Sequence, residues 1–140
     1  MVPRNPDEIM RGYADSIQQA TTRIDAELLR TRGHWFLTDP MFSERLAGVA
    51  TRNVKAAMAP SELPPLDAIL VSHAHFDHLD FPSLRRLSDV PLLVPPGIPT
   101  FLPADLPQHQ VVALDAWQTW TRGDVQITAV PASHGDGRYL

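Results

Sequence analysis

The sequence contains no cysteine among its 140 residues. Disulfide bonds and thiolate zinc sites are therefore excluded, so any metal ion must be held by histidine and carboxylate side chains. Lysine is also scarce, since eleven of the twelve basic residues are arginine. The net charge is −4 and no basic run occurs, which argues against a nucleic-acid partner.

Long apolar runs are missing as well. No stretch approaches the roughly 20 apolar residues of a membrane span, and the first ten residues lack the pattern of a secretory signal. We therefore expect no membrane span and a cytoplasmic location. The composition, 44% hydrophobic and 20% charged, is typical of a globular protein, and 140 residues make at most one domain.

The segment DAILVSHAHFDHLD at 67–80 has the strongest functional signal. Its apolar run at 68–71 is typical of a buried strand. Potential metal ligands follow within eight positions: His73, His75, Asp77, His78 and Asp80. Neutral imidazoles and carboxylates are ligands of zinc and similar divalent ions. The alternative is a polar turn with solvated histidines.

The spacing of these residues predicts how they are grouped. In extended backbone, residues i and i+2 point to the same side, so His73 and His75 can bind one ion. Asp77 and His78 lie beyond them, where the chain must turn. They would face a second position roughly 3.5–4 Å from the first, as in sites with two metal ions.

The motif SHAHFDHLD resembles the His-x-His-x-Asp-His signature of the metallo-β-lactamase fold superfamily. The similarity is greatest to the branch of N-acyl-phosphatidylethanolamine phospholipase D-like and ascorbate-6-phosphate lactonase-like hydrolases. Three more segments resemble that branch: LTDPMFSER at 37–45 with Asp39, ELPPLDAIL at 62–70, and VPASHGDGR at 130–138 with His134. The resemblance covers about residues 35–138, and its motifs are specific for the fold rather than for the substrate.

This resemblance implies a fold and a domain organisation. The fold class is α/β (α+β), namely the αββα sandwich of the metallo-β-lactamase fold with its N-terminal half present. Residues 1–140 would form a single partial domain, in which residues 1–21 are an N-terminal helical extension. A C-terminal half would supply the opposing sheet.

The resemblance also implies a site. The first ion would be bound by His73, His75 and His134, and the second by Asp77 and His78. Asp77 would be the catalytic residue, which orients a hydroxide and donates a proton to the leaving group. The expected cofactor is zinc, as one or two divalent ions, with manganese as an alternative. Asp39 is expected to be an outer carboxylate or turn residue.

Two functions remain open at this point. The first is a metal-dependent hydrolase that uses metal-bound hydroxide to cleave an ester, lactone or phosphodiester bond in a small-molecule substrate. The second is a catalytically inert truncated half-domain, or one subunit of a split hydrolase that needs a C-terminal partner. A half-domain would expose one apolar sheet face and self-associate or bind a complementary C-terminal chain. The strand positions expected on that face are Ile69, Val71, Leu93, Val112, Ile127 and Val130.

The remaining pattern predicts the secondary structure around the motif. Helical spacing predicts a helix over 7–20, and residues 43–58 also have helical character without a strong apolar stripe. A short helix is expected at 82–87, with proline in its first turn. Strands are expected at 34–37, 91–94, 109–114, 116–120 and 125–130, while residues 22–30 suit either a strand or a helix. His34 and His109 are expected to be ordinary structural or surface residues.

Overall fold

The computed structural model describes residues 27–46, 50–51, 55–106 and 110–133. Nine strands lie in these residues: β1 (Glu27–Thr31), β2 (His34–Thr38), β3 (Arg45–Leu46), β4 (Ala50–Thr51), β5 (Ala68–Leu70), β6 (Leu92–Val94), β7 (Val111–Ala113), β8 (Thr119–Arg122) and β9 (Val125–Thr128). Five of them form the main sheet in the order β1-β2-β5-β6-β7. Strand β1 is antiparallel to β2, and the other neighbours are parallel.

Short elements connect and cover this sheet. Strands β3 and β4 form one antiparallel pair, and β8 and β9 form another. Helix α1 (Phe81–Leu84) lies between β5 and β6, and 3-10 helices span Pro60–Glu62 and Ile98–Phe101. Within the ranges given above, no helix is both long and apolar enough to cross a membrane.

The alternation of side chains along the strands divides the core into two clusters. Leu37, Ile69 and Leu92 point to the face that α1 and the Ile98–Phe101 helix cover. Phe36, Ala68 and Leu93 are their chain neighbours and point to the opposite face, where Val125 of the β8–β9 hairpin packs on them. Both faces of the central strands are therefore buried, as parallel strands require.

The prediction that six apolar strand residues share one exposed sheet face is wrong for three of them. Ile69 and Val71 are buried on the helix side, and Leu93 is buried beneath the β8–β9 hairpin. Residues one apart on a strand face opposite ways, so Ile69 and Leu93 of paired strands do not share a face here. Val130 is exposed, as expected, at 44%. Self-association itself stays a prediction.

Two predicted segments differ from the structure. The helical character expected over 43–58 is not found in the described part of that segment, which contains the β3–β4 pair. The segment has no strong apolar stripe that a helix could bury. The strand expected at 116–120 begins only at Thr119. Gln118 closes a turn before it, accepting the Asp115 N–H at its Oε1 and donating its own N–H to the Asp115 carbonyl.

The other described predictions are confirmed. Residues 34–37, 91–94 and 125–130 contain strands, the short helix with proline in its first turn is α1, and strand rather than helix occupies 27–31. The helix predicted over 7–20 lies outside the described residues, and so do the predicted ligand His134 and His109.

Candidate metal centre

The motif residues lie at the carboxyl edge of the main sheet. Strands β2 and β5 are parallel neighbours, so their carboxyl ends meet at the same edge. Asp39 follows β2, and its N–H donates to the carbonyl of Leu70 at 2.8 Å. Residues 72–78 follow β5. The parallel pairing of β2 with β5 therefore brings Asp39 to the motif. Open α/β sheets commonly bind ligands at this kind of edge.

A compact turn folds the motif back on itself. The N–H groups of His78 and Leu79 both donate to the carbonyl of His75, at 3.0 and 2.8 Å. Leu79 is completely buried and anchors the turn in the core. As a result the rings of His73 and His78 lie against each other, with their centroids 4.1 Å apart.

His73 and His75 bring two ring nitrogens close together. The Nε2 atom of His73 and the Nδ1 atom of His75 are 3.1 Å apart. Two nitrogens that bind one zinc ion at about 2.0–2.1 Å, at a tetrahedral angle, lie about 3.3 Å apart. The chemistry and the separation of this pair fit a divalent ion.

Asp77 and His78 form a second pair beside the first. The Oδ2 atom of Asp77 lies 3.4 Å from Nε2 of His78, and both side chains are partly buried. On the other side of the ring, Nδ1 of His78 lies 2.9 Å from Oδ2 of Asp39. Burial lowers the pKa of His78, but its hydrogen bond to Asp39 and the charges of Asp39 and Asp77 outweigh it, so the net pKa is raised.

Asp39 lies beside the two ligand pairs and contacts them through His78 and Ser72. Its backbone is left-handed, with φ 41°, a conformation that aspartate adopts more readily than most residues. Its Oδ1 accepts the N–H of Ser72 and its Oδ2 accepts the Ser72 hydroxyl, both at 2.7 Å. Asp39 thus contacts and orients His78, the kind of contact that the sequence analysis expected. Ser72 was missed, although it directly precedes His73.

Asp80 is a turn residue and takes no part in the histidine pairs. Its buried carboxylate caps α1 by accepting the Ser83 N–H at 3.1 Å, and it also accepts the Ser83 hydroxyl. A third hydrogen bond comes from the Ser43 hydroxyl at 2.5 Å. His34 lies elsewhere, with its Nδ1 3.0 Å from Asp67.

The described residues do not complete a ligand set. Among the ranges that the structure covers, no three histidine, aspartate or glutamate side chains are grouped closely enough to hold a metal ion. The assignment of five ligands therefore stays a prediction. What the structure adds is two adjacent pairs, each at a separation that suits two ligands of one ion.

A cavity of about 210 Å³ lies on the helix side of β2, next to the loop that follows Asp39. Its lining is apolar and consists of Leu28, Leu37, Met41, Phe42, Ala56, Ala57, Met58 and Leu63. None of these residues can ionise, and none carries an imidazole or carboxylate ligand. The chemistry is therefore assigned to the histidine edge and not to this cavity.

Comparison with known proteins agrees with this geometry. A family model described as a beta-lactamase superfamily domain matches residues 34–139, which include every motif of the sheet edge. The chain belongs to the beta-lactamase superfamily. The predicted resemblance is thereby confirmed, and the mixed α/β architecture is that of the metallo-β-lactamase fold.

Three relatives extend the comparison. An uncharacterized protein of Mycobacterium tuberculosis is 31% identical over 147 residues, which cover 99% of this chain and 40% of that protein. The mitochondrial N-acyl-phosphatidylethanolamine-hydrolyzing phospholipase D of Saccharomyces cerevisiae is 38% identical over 114 residues, or 74% of this chain and 24% of the relative. A metal-dependent hydrolase of Pyrococcus horikoshii is 32% identical over 92 residues, or 64% of this chain and 40% of the relative.

A solved structure is also similar. CmlA, a diiron β-hydroxylase from Streptomyces venezuelae, superposes with a TM-score of 0.56 at 27% identity, over 77% of this chain and 23% of CmlA. Two of these relatives are hydrolase-type proteins by name, the phospholipase D of S. cerevisiae and the metal-dependent hydrolase of P. horikoshii. The chain spans about two fifths of the length of the M. tuberculosis relative.

Proposed function

We propose that the chain carries metal ligands of a hydrolase that cleaves an ester, lactone or phosphodiester bond in a small-molecule substrate. The observation that carries the proposal is the pairing of ligand atoms at one sheet edge, His73 with His75 and Asp77 with His78. Membership of a superfamily with a phospholipase D and a metal-dependent hydrolase among its members supports it.

Each residue has a role in this proposal. His73 and His75 would hold one divalent ion with His134 as third ligand, and Asp77 and His78 would hold a second. A bound divalent ion of this kind acidifies a water molecule and polarises the bond to be cleaved. Asp77 accepts a proton from the attacking water and passes it to the leaving group. Imidazole ligands suit zinc, iron and similar ions, while carboxylates also suit manganese.

A second candidate is a chain that binds metal without turnover, either as an inert half-domain or as one subunit that acts with a complementary chain. The observation in its favour is that the described residues group no three ligand side chains. Turnover would then require ligands that another polypeptide segment supplies.

Metal content tests the ligand assignment that both candidates share, and hydrolysis separates the two candidates. The second position has only two ligands in this proposal and should lose its ion on dialysis. We therefore expect the purified chain to retain one zinc ion, measured by elemental analysis, and the His73→Ala/His75→Ala double variant to retain none. His34→Gln is the matched control, since that histidine lies outside the pairs and should not change the zinc content. Zinc that stays bound in the double variant would contradict the ligand assignment.

The zinc-loaded chain is then assayed with p-nitrophenyl acetate, a γ-lactone and bis(p-nitrophenyl) phosphate. Asp77→Asn keeps the volume of the side chain and removes its capacity to accept a proton, so kcat should fall by about 10²–10⁴-fold. A kcat within a few-fold of the parent would show that Asp77 is not catalytic. If the zinc-loaded parent cleaves none of the three substrates, the second candidate is favoured.

A further inference from the structure

We infer that Ser72 is a positioning residue, whose hydroxyl joins Asp39 to His73 and fixes the tautomer in which His73 carries its proton on Nδ1. The inference rests on the proposed function, because the purpose of a fixed tautomer is to present the Nε2 lone pair to a metal ion. The network consists of Asp39, Ser72, His73 and His78 at the carboxyl edge of β2 and β5.

The argument begins with the donors and acceptors around Asp39. An ionised carboxylate can only accept hydrogen bonds. Its Oδ1 accepts the backbone N–H of Ser72 at 2.7 Å. Its Oδ2 accepts the hydroxyl hydrogen of Ser72 at 2.7 Å and faces Nδ1 of His78 at 2.9 Å. The contact with His78 therefore requires a proton on Nδ1 of that ring.

The Ser72 hydroxyl extends this requirement to His73. A hydroxyl has one hydrogen, and Ser72 gives it to Asp39. The Ser72 oxygen also lies 2.8 Å from Nδ1 of His73, where it can only accept. Nδ1 of His73 must therefore be the donor, and in the neutral ring the lone pair is on Nε2. That atom is the one that faces Nδ1 of His75 at 3.1 Å.

One carboxylate thus sets the same tautomer on two rings by different routes. Asp39 contacts His78 directly and reaches His73 through Ser72. Metal-binding histidines commonly donate their second ring N–H to an outer partner, and removal of such a partner typically weakens metal binding 10–100-fold. A serine in this place makes His73 dependent on one hydroxyl group, whereas His78 does not depend on it.

The substitution Ser72→Ala isolates that hydroxyl. Ser72 is exposed, so its truncation leaves no buried cavity. The backbone N–H of residue 72 remains and still donates to Asp39, which keeps the carboxylate in place. His78 becomes an internal reference, since its own contact with Asp39 is unchanged. Ser72→Thr restores a hydroxyl, and the exposed serine in Ser88→Ala is the matched control.

The experiment reads ring tautomers in the metal-free, ¹⁵N-labelled chain by long-range ¹H–¹⁵N NMR, at a pH where the rings are neutral. We expect Nδ1–H on both His73 and His78 in the parent, in Ser72→Thr and in Ser88→Ala. In Ser72→Ala, His73 should lose its single tautomer while His78 keeps Nδ1–H. A second measurement is zinc affinity by competition with a chelator, which should fall about 10-fold in Ser72→Ala and recover in Ser72→Thr.

Two results would overturn the inference: a parent chain in which His73 carries its proton on Nε2, or a His73 tautomer that does not respond to Ser72→Ala. The NMR readout needs no metal, so the inference and the proposed function can fail separately. Tautomers that behave as expected in a chain that binds no zinc would support the positioning role and reject the metal centre.

Discussion

Asp67 connects three separate parts of the chain, and its replacement by asparagine tests how the β8–β9 hairpin is held on the sheet. Its Oδ2 accepts the Trp35 N–H at 2.9 Å. Its Oδ1 lies 3.0 Å from Nδ1 of His34 and accepts from Nε of Arg122 at 3.0 Å. The side chain is only 18% exposed, so water screens its contacts with Trp35 and His34 poorly, whereas Arg122 is 52% exposed and its contact is screened more.

The size of the effect follows from the pKa of Asp67. The Trp35 N–H lowers it most, burial opposes this, and His34 and Arg122 lower it further, from 3.8 to about 2. A depressed pKa means that the ionised form stabilises the fold above pH 3.8 and that this contribution disappears as the pH falls towards 2. The difference corresponds to about 2 kcal/mol, of which about half is lost by pH 3.

Asp67→Asn keeps the shape of the side chain and removes its charge. We expect a loss of about 2 kcal/mol in the free energy of unfolding at pH 7. Urea unfolding followed by tryptophan fluorescence measures this loss, because Trp35 and Trp120 both pack on the clusters that unfold. Between pH 7 and pH 3 the gap between parent and variant should narrow by about 1 kcal/mol.

A difference in unfolding free energy between the parent and Asp67→Asn below about 0.5 kcal/mol at pH 7 would refute this reasoning, and so would a difference that stays constant down to pH 3. The matched control is Asp105→Asn. Asp105 pairs with Arg85 at 2.9 Å, but its side chain is 69% exposed, so we expect a much smaller effect there.

Two further predictions concern backbone and capping. Gly123→Ala should destabilise the fold by roughly 1–2 kcal/mol more than a neutral surface change, because φ is 56° there and the new Cβ would lie 2.8 Å from Nε2 of His34. Gly33→Ala at φ 83° meets no neighbouring atom, so equal unfolding midpoints for the two variants would contradict the clash with His34. Asp80→Ala removes the α1 cap and two hydroxyl contacts, and should lower the free energy of unfolding by roughly 2–3 kcal/mol in urea titrations. Exposed Asp89→Ala is its control, and equal losses in the two variants would reject the capping role.

Local patterns in the sequence determined the elements of the site. The apolar run at 68–71 predicted β5, and its end placed His73 and His75 on the same side of the chain. The proline after the motif predicted α1. These predictions succeed because strand alternation, turn residues and helix starts depend on neighbours within a few positions.

The predictions were wrong where tertiary pairing or a side-chain hydrogen bond decides the conformation. Apolar residues of β5 and β6 were assigned to one face of the sheet. The face that each residue occupies depends on the pairing register of the two strands, which lie more than 20 residues apart in the chain. The strand expected at 116–120 was shortened by a side-chain hydrogen bond of Gln118, which propensity does not describe.

By itself, the sequence determined the superfamily, strand β5 and the position of the motif residues directly after it. Only the tertiary structure decided what surrounds them. Asp39 reaches Ser72 across 33 positions of the chain, and Asp67 reaches Arg122 across 55. Such contacts arise because parallel pairing of β2 with β5 and packing of the β8–β9 hairpin bring distant backbone together, and no local pattern encodes that distance.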